Sequence, residues 1–397
     1  MMKSFRIGSL FGIPIKLDLT FLLILPVFAY IIGAQIEPVI EILNVTMAAG
    51  IDVDALTAEW WIPYLVGLAA AIGLFVGVVL HELGHSLTAQ RYGFPIDSIT
   101  LWLLGGIAAL TEMPEDWKQE LNIAIAGPIV SVLVGVVSYA LFVVTPEAFN
   151  GTRFVLGYLA ILNVALAIFN MIPAFPMDGG RILRALLARN QPYAKATQQA
   201  ASIGKMFALF MGLFGLIGLN IILIAVAFFV YIAASSEAQQ VTMKAAFQDV
   251  TVSDIMTPAG DLHTIEPDAT VSKLIQRMFS ERHTGYPVIE RDGFGDERLV
   301  GLVTLEDARE IDPVERDAYT VEEVMTTDLE TIEPDSDAMA AIERMQQNGI
   351  GRLLVVENGD LVGLISRTDL MTALDIVQQS GGSVTLTEQP QPTRQMG

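Results

Sequence analysis

A chain of 397 residues has room for two or three domains, and 52% hydrophobic residues with a mean hydropathy of +0.51 exclude an ordinary soluble protein. Cysteine is absent, which excludes disulfides, thiolate metal ligands and a cysteine nucleophile. The net charge is −21, with 29 acidic against 12 basic residues from Val241 onward, so the C-terminal part reads as soluble and acidic, with no nucleic acid as partner.

Lys3, Arg6 and Lys16 precede an apolar run, Phe21 to Ala34, that Leu17 and Leu19 lengthen enough to cross a bilayer with some tilt. A cleaved signal peptide is the alternative, but no A-x-A-like site follows, so the run reads as a retained helix. Residues 35 to 60 carry five acids and no Lys or Arg. A second span runs from about Trp61 to Ala89, with Trp60 and Trp61 where an interfacial aromatic belt would place them. DSITLWLLGGIAALTEM is too short to cross and is broken by Gly105-Gly106. It reads as a re-entrant extended segment packed against protein, because exposed strand edges are not tolerated in lipid.

Further spans are expected from about Leu121 to Val144 and from Phe154 to about Phe175. The long apolar run Met206 to Ala234 reads as two spans turned at Gly218-Leu219-Asn220, one long tilted helix being the competing reading. Six spans put both termini on one side. Nine Lys and Arg residues fall there, and Arg153 is the one clear exception, so that side is the cytoplasm of a cell membrane. Seven lysines in an acidic chain fit a prokaryotic, high-salt cytoplasm, a merely acidic bacterial protein being the alternative.

The chemistry centres on His81-Glu82-Leu83-Gly84-His85. It follows Ala69 to Leu80, which contains no charge, and ionisable groups in such a setting are functional by default. Histidines at i and i+4 share one helical face and can both bind one Zn²⁺, leaving the neighbouring carboxylate to move protons. A buried pair satisfied by other helices is the alternative. A zinc site with an open position needs a third protein ligand, and Asp178 is the best candidate. It lies at the cytoplasmic end of the fourth span, the depth at which the second span carries its histidines; the alternative is that it only caps a helix beginning at Arg181. Glu82 then serves as base, and a substrate must be extended, since a helix hides its carbonyls. An edge strand at Ile99–Leu110 could hold it by β-addition; the segment otherwise only plugs a gap between helices.

The acidic half repeats itself. TVSDIMTP at Thr251 matches TVEEVMTT at Thr320, and LVGLVTLED at Leu299 matches LVGLISRTD at Leu361. Each unit reads strand, helix, strand, strand, helix. The fold class is therefore a polytopic α-helical membrane domain over 1–240, of about six transmembrane helices with a re-entrant β segment. A cytoplasmic α/β tandem module follows over 241–378, with units at about 249–311 and 318–378, and then a disordered tail over 379–397.

HELGH followed by NMIPAFPMDGG resembles the site-2 protease family of intramembrane zinc metalloproteases, over residues 1 to about 235, with AGP at Ala126–Pro128 included. The resemblance implies zinc on His81, His85 and Asp178, Glu82 as catalytic base, and Asn170 assisting an oxyanion or the substrate. It also implies an endopeptidase acting on transmembrane segments of membrane-protein substrates. Many members carry Asn three residues after the Pro of AGP, where this chain has Ser131. The repeats resemble CBS domains, which in tandem often bind adenine nucleotides; Thr304 and Asp307, with Ser366 and Asp369, are the residues implied to hold ribose and phosphate. An unliganded pair that only forms a homodimer is the alternative. The negative charge opposes a polyphosphate unless Arg282, Arg352 or Arg367 lines the cleft. The rival readings of the whole are a CBS-gated transporter or channel and an inactive membrane scaffold.

Overall fold

The structure, a computed structural model, describes residues 4–102, 105–110, 114–291 and 297–379. The expected tail beyond Gln379 lies outside them, as do Leu103, Leu104 and residues 111–113 of the extended segment. The chain divides into two units, Met1–Val241 and Thr242–Gly397.

The first unit opens with a hairpin that the charge reading of the N-terminus did not anticipate. Strands β1 (Ser4–Leu10) and β2 (Ile13–Asp18) turn at Phe11-Gly12, both at positive φ (51° and 83°), as a two-residue hairpin turn requires. β2 runs parallel to β3 (Ile96–Trp102), which pairs antiparallel with β4 (Gly105–Leu110), giving the order β1-β2-β3-β4. One expectation is thereby corrected. β3 is hydrogen-bonded on both sides, so the edge expected along Ile99–Leu110 belongs to β4 alone.

Asp18 caps α1 (Leu19–Ala34) by accepting the Thr20 N–H at 2.9 Å. α2 (Ile36–Met47) continues it after a 66° bend, and α3 (Val53–Thr57) follows, so the acidic stretch 35–60 is largely helical. Its apolar positions Ile36, Ile40, Leu43 and Leu56 build a core with Ala70, Phe142 and Phe154. The remaining helices are α4 (Ile62–Arg91), α5 (Trp117–Val144), α6 (Asn150–Asn170), α7 (Asp178–Ala188), α8 (Tyr193–Ile217) and α9 (Ile221–Ala246). Among the described residues five helices, α4, α5, α6, α8 and α9, are long and apolar enough to cross a membrane, or six if the bent pair α1–α2 is one span. The run 206–234 is two helices, not one. α6 stops at Asn170, short of the expected Phe175, because Pro173 and Pro176 follow.

Arg153, the exception in the charge pattern, is not a free surface cation. It is buried, donates from Nε and Nη2 to the Ala49 carbonyl at 3.1 and 2.7 Å and from Nη1 to the Thr145 carbonyl, and lies over the Phe142 ring. Its donors tie three chain segments together.

In the second unit the repeats exchange their opening pieces. The first consists of α10 (Val252–Ile255), β5 (Thr257–Pro258), a 3-10 turn, α11 (Val271–Glu281), β6 (Gly285–Arg291), β7 (Glu297–Thr304) and α12 (Leu305–Arg309). The second consists of α13 (Val321–Val324), β8 (Thr331–Ile332), α14 (Ala338–Gln347), β9 (Arg352–Glu357), β10 (Asp360–Ser366) and α15 (Arg367–Gln379). β5 pairs with β10 of the other repeat, and Thr326 bridges to Leu302 on β7 in return. Val252 is buried among Leu353, Val355 and Ile365, while Val321 is buried among Ile265, Val288 and Val303. Each core therefore needs the other repeat.

Candidate metal centre

α4 carries His81 and His85 one turn apart on one face, and the rings meet edge to face with centroids 4.8 Å apart. Their Nε2 atoms are 3.1 Å apart. Asp178, 97 residues beyond His81, sends Oδ2 to 3.1 Å from Nε2 of His81 and 3.2 Å from Nε2 of His85. All three side chains are buried. Asp178 is the first residue of α7 with Met177 at the cap position, so α7 begins three residues before Arg181. Proline stops α6, and the glycines after Asp178 let α7 start hard against the turn: a Cβ on Gly179 would overlap the Ile172 carbonyl, and one on Gly180 would stand 2.7 Å from the Ala174 carbonyl carbon.

The donor set fits a zinc ion. Nδ1 of His85 donates to the Ile123 carbonyl at 2.7 Å, which leaves its Nε2 with a lone pair. Nδ1 of His81 is 2.8 Å from Oγ of Ser131, a hydroxyl that can accept from that nitrogen and so leave Nε2 free for a metal. Lone-pair atoms gathered in an apolar setting repel one another unless a cation sits among them. Ligands about 2.0–2.1 Å from a tetrahedral ion lie roughly 3.3 Å apart, close to the spacing seen. Gly127 completes the cradle: a Cβ there would overlap Nε2 of His85 and stand 2.8 Å from Nε2 of His81.

Glu82 lies beside this group and beneath β4. A Cβ on Gly106 would stand 2.6 Å from Cγ of Glu82 and 3.3 Å from its Cδ, so the strand runs directly over the carboxylate. Asn170 closes α6, half-buried, and among the described residues it is not one of the hydrogen-bond partners of His81, His85 or Asp178. Two participants escape a reading of the sequence alone. Ser131 stood out only as a departure from Asn, and Gly127 only as part of AGP; their roles depend on how α5 crosses α4.

In the second unit, a cleft of about 770 Å³ is lined by Thr304, Asp307, Thr326, Asp328 and Arg352 among others. Asp307 Oδ2 accepts from the Thr304 N–H (2.7 Å) and hydroxyl (2.8 Å), and Asp369 Oδ2 accepts likewise from Ser366 at 2.8 and 2.7 Å. Both pairs therefore cap helices, whatever else they do. Arg352 reaches into the cleft and donates to the Thr284 hydroxyl; Arg282 and Arg367 do not line it.

The profile of peptidase family M50 matches residues 69–149 and 145–213, and that of the CBS domain matches 252–313 and 321–376. A zinc metalloprotease of Methanocaldococcus jannaschii is 37% identical over 378 residues, covering 95% of this chain and 98% of that protein. The solved structure of a site-2 protease from the same organism shares 43% identity, covering 59% of this chain and 95% of its own, with a TM-score of 0.42. A crystal structure of CBSX2 in complex with AMP is 26% identical over 32% of this chain and 98% of its own, with a TM-score of 0.28.

Proposed function

The chain belongs to peptidase family M50, as a membrane zinc metalloprotease with a tandem CBS region, and on that premise we propose that it cleaves transmembrane segments of other membrane proteins at the His81, His85 and Asp178 centre. The observation that carries this reading is the convergence of three buried ligand atoms on one point from helices α4 and α7. A zinc ion supplies Lewis acidity to the scissile carbonyl and to the attacking water. Glu82 takes the proton of that water and returns it to the leaving amine nitrogen. The substrate enters extended and pairs with the edge of β4 that no described strand covers, where the backbone passes over Glu82 at Gly106. Asn170 is kept as a substrate-side or oxyanion donor. The lysine and arginine bias supports a cytoplasmic side for both termini, and Arg153, the exception, is buried against backbone carbonyls rather than a free surface cation. Replacing Asp178 with Ala tests the site: loss of both bound zinc and cleavage of a membrane substrate is expected, and retention of stoichiometric zinc would overturn the assignment.

For the CBS pair the favoured ligand is an adenine nucleotide in the cleft beside Thr304 and Asp307, with Arg352 as the cation for phosphate. Glu306, Asp307, Asp328 and Glu330 line the same cleft and favour few phosphates over many. Ser366 and Asp369 occupy the corresponding position in the second repeat. Ligand binding there gates proteolysis in this reading. Titrating AMP and ATP into the full chain and into Arg352→Ala, with cleavage followed in both, tests it; identical responses would contradict it.

A further inference from the structure

We propose that Arg184 is a positioning residue for the metal carboxylate, and that Glu237 on α9 sets how firmly it holds. The proposal rests on the reading of His81, His85 and Asp178 as the zinc site. Arg184 is the largest fully buried side chain among the described residues and stands six residues after Asp178 on the same short helix. At 1.5 Å per residue it is about 9 Å from the metal ligand along α7. Its Nε donates to Oε1 of Glu120 at 2.7 Å, with Nη2 at 2.6 Å from the same atom, and its Nη1 donates to Oε1 of Glu237 at 2.5 Å. The guanidinium is flanked by the rings of Phe175 and Tyr193, with centroids 5.0 and 4.8 Å away.

These partners sit on four different pieces of chain: α5, α9, the turn before α7, and α8. Glu120 is one helical turn before Ile123, whose carbonyl orients His85. The guanidinium thus ties the helix that presents Asp178 to the helix that fixes the tautomer of His85. A buried arginine held by two carboxylates is worth little as bulk stabilisation but imposes one geometry. Of the two carboxylates, Glu120 is almost fully enclosed, whereas the Glu237 side chain keeps 27% of its surface exposed. Glu237 also belongs to α9, which continues to Ala246, past the division of the chain at Val241. It is the adjustable arm of the clamp.

The test is the rate at which the full-length protein loses zinc to excess chelator, for wild type, Glu237→Gln, Glu237→Asp and Asn44→Ala. Asn44 bonds the N–H and carbonyl of Ile51 at 2.9 and 3.0 Å and, among the described residues, hydrogen-bonds to neither α7 nor the metal group, so its variant reports a loss of stability alone. Partners outside the ligand shell change metal affinity by about 10–100-fold, and one step further out about a fivefold faster release is expected for Glu237→Gln. Glu237→Asp should return the rate to near wild type, and Asn44→Ala should lower the thermal midpoint with release unchanged. Equal release from wild type and Glu237→Gln, or a change that only tracks the thermal midpoint, would overturn the proposal alone. Absence of zinc from the wild type would overturn the site reading and this proposal together.

Discussion

Nε2 of His85 lies against the bare Cα of Gly127, close enough that a single methyl group there would overlap it and stand 2.8 Å from Nε2 of His81. The proposed metal pocket is thus shaped by a missing side chain on α5 as much as by the candidate ligands on α4 and α7. Gly127→Ala should reduce bound zinc from one per chain to near zero while leaving the helical circular-dichroism signal intact. Elemental analysis of the purified variant checks it, and full zinc occupancy would contradict the packing described.

Gly106 plays the same part for the base. A Cβ there would meet Cγ of Glu82 at 2.6 Å, so Gly106→Ala must push the carboxylate or the strand aside. Misplacement of about 1 Å at a reacting group lowers rates by about a hundredfold. Cleavage should fall by about that factor with zinc retained, which separates this variant from Gly127→Ala. Unchanged cleavage would show that β4 does not sit over Glu82 during catalysis.

Ser131 orients His81 through Nδ1 at 2.8 Å. Ser131→Ala should weaken zinc binding by about tenfold, as loss of such partners generally does. Ser131→Asn, which keeps a polar atom near the ring, should bind within a few-fold of wild type. Competition with a chromogenic chelator measures both, and equal affinity in Ser131→Ala would remove Ser131 from the site.

What could be seen in the chain beforehand follows the reach of each interaction. HELGH is local, so His81, Glu82 and His85 were legible from helical spacing. Asp178 was legible because charge bias put two distant helix ends at one depth, and the structure brings those ends together. The N-terminal hairpin was not, since β2 is anchored by parallel pairing to a strand some eighty residues later, which no local pattern announces. The Glu120–Arg184 pair spans 64 residues and was equally hidden. The resemblance to CBS domains implies Thr304 and Asp307 as ligand groups, but a Thr-x-x-Asp spacing serves helix capping as well, and the structure shows that use directly.

The CBS region carries a pH-dependent bond set of its own. Burial pushes the Glu281 carboxyl up, but hydrogen bonds from Arg277 and Tyr286 and the charge of Arg277 outweigh it and hold the group below the ordinary glutamate range. A lowered folded value adds stability that is full above the unfolded value of about 4.3 and is lost as pH falls through the folded value. Burial and Glu281 together push the Tyr286 hydroxyl up, so it stays a donor throughout this range. Glu281→Gln should therefore lower the unfolding temperature of this region at pH 7, and the gap should begin to narrow once pH falls below the unfolded value of about 4.3. A gap of unchanged size all the way down the acid range would contradict the assignment.

The central claim is that Glu82 moves the proton in a zinc-dependent cleavage of a membrane-embedded peptide bond. Wild type and Glu82→Gln should be compared on one membrane substrate in detergent or liposomes, with zinc measured in both. General base catalysis contributes about 10²–10⁴-fold, so Glu82→Gln should keep one zinc per chain and lose cleavage by at least two orders of magnitude. Cleavage by Glu82→Gln at the wild-type rate, or bound zinc with no cleavage by either protein, would contradict the account.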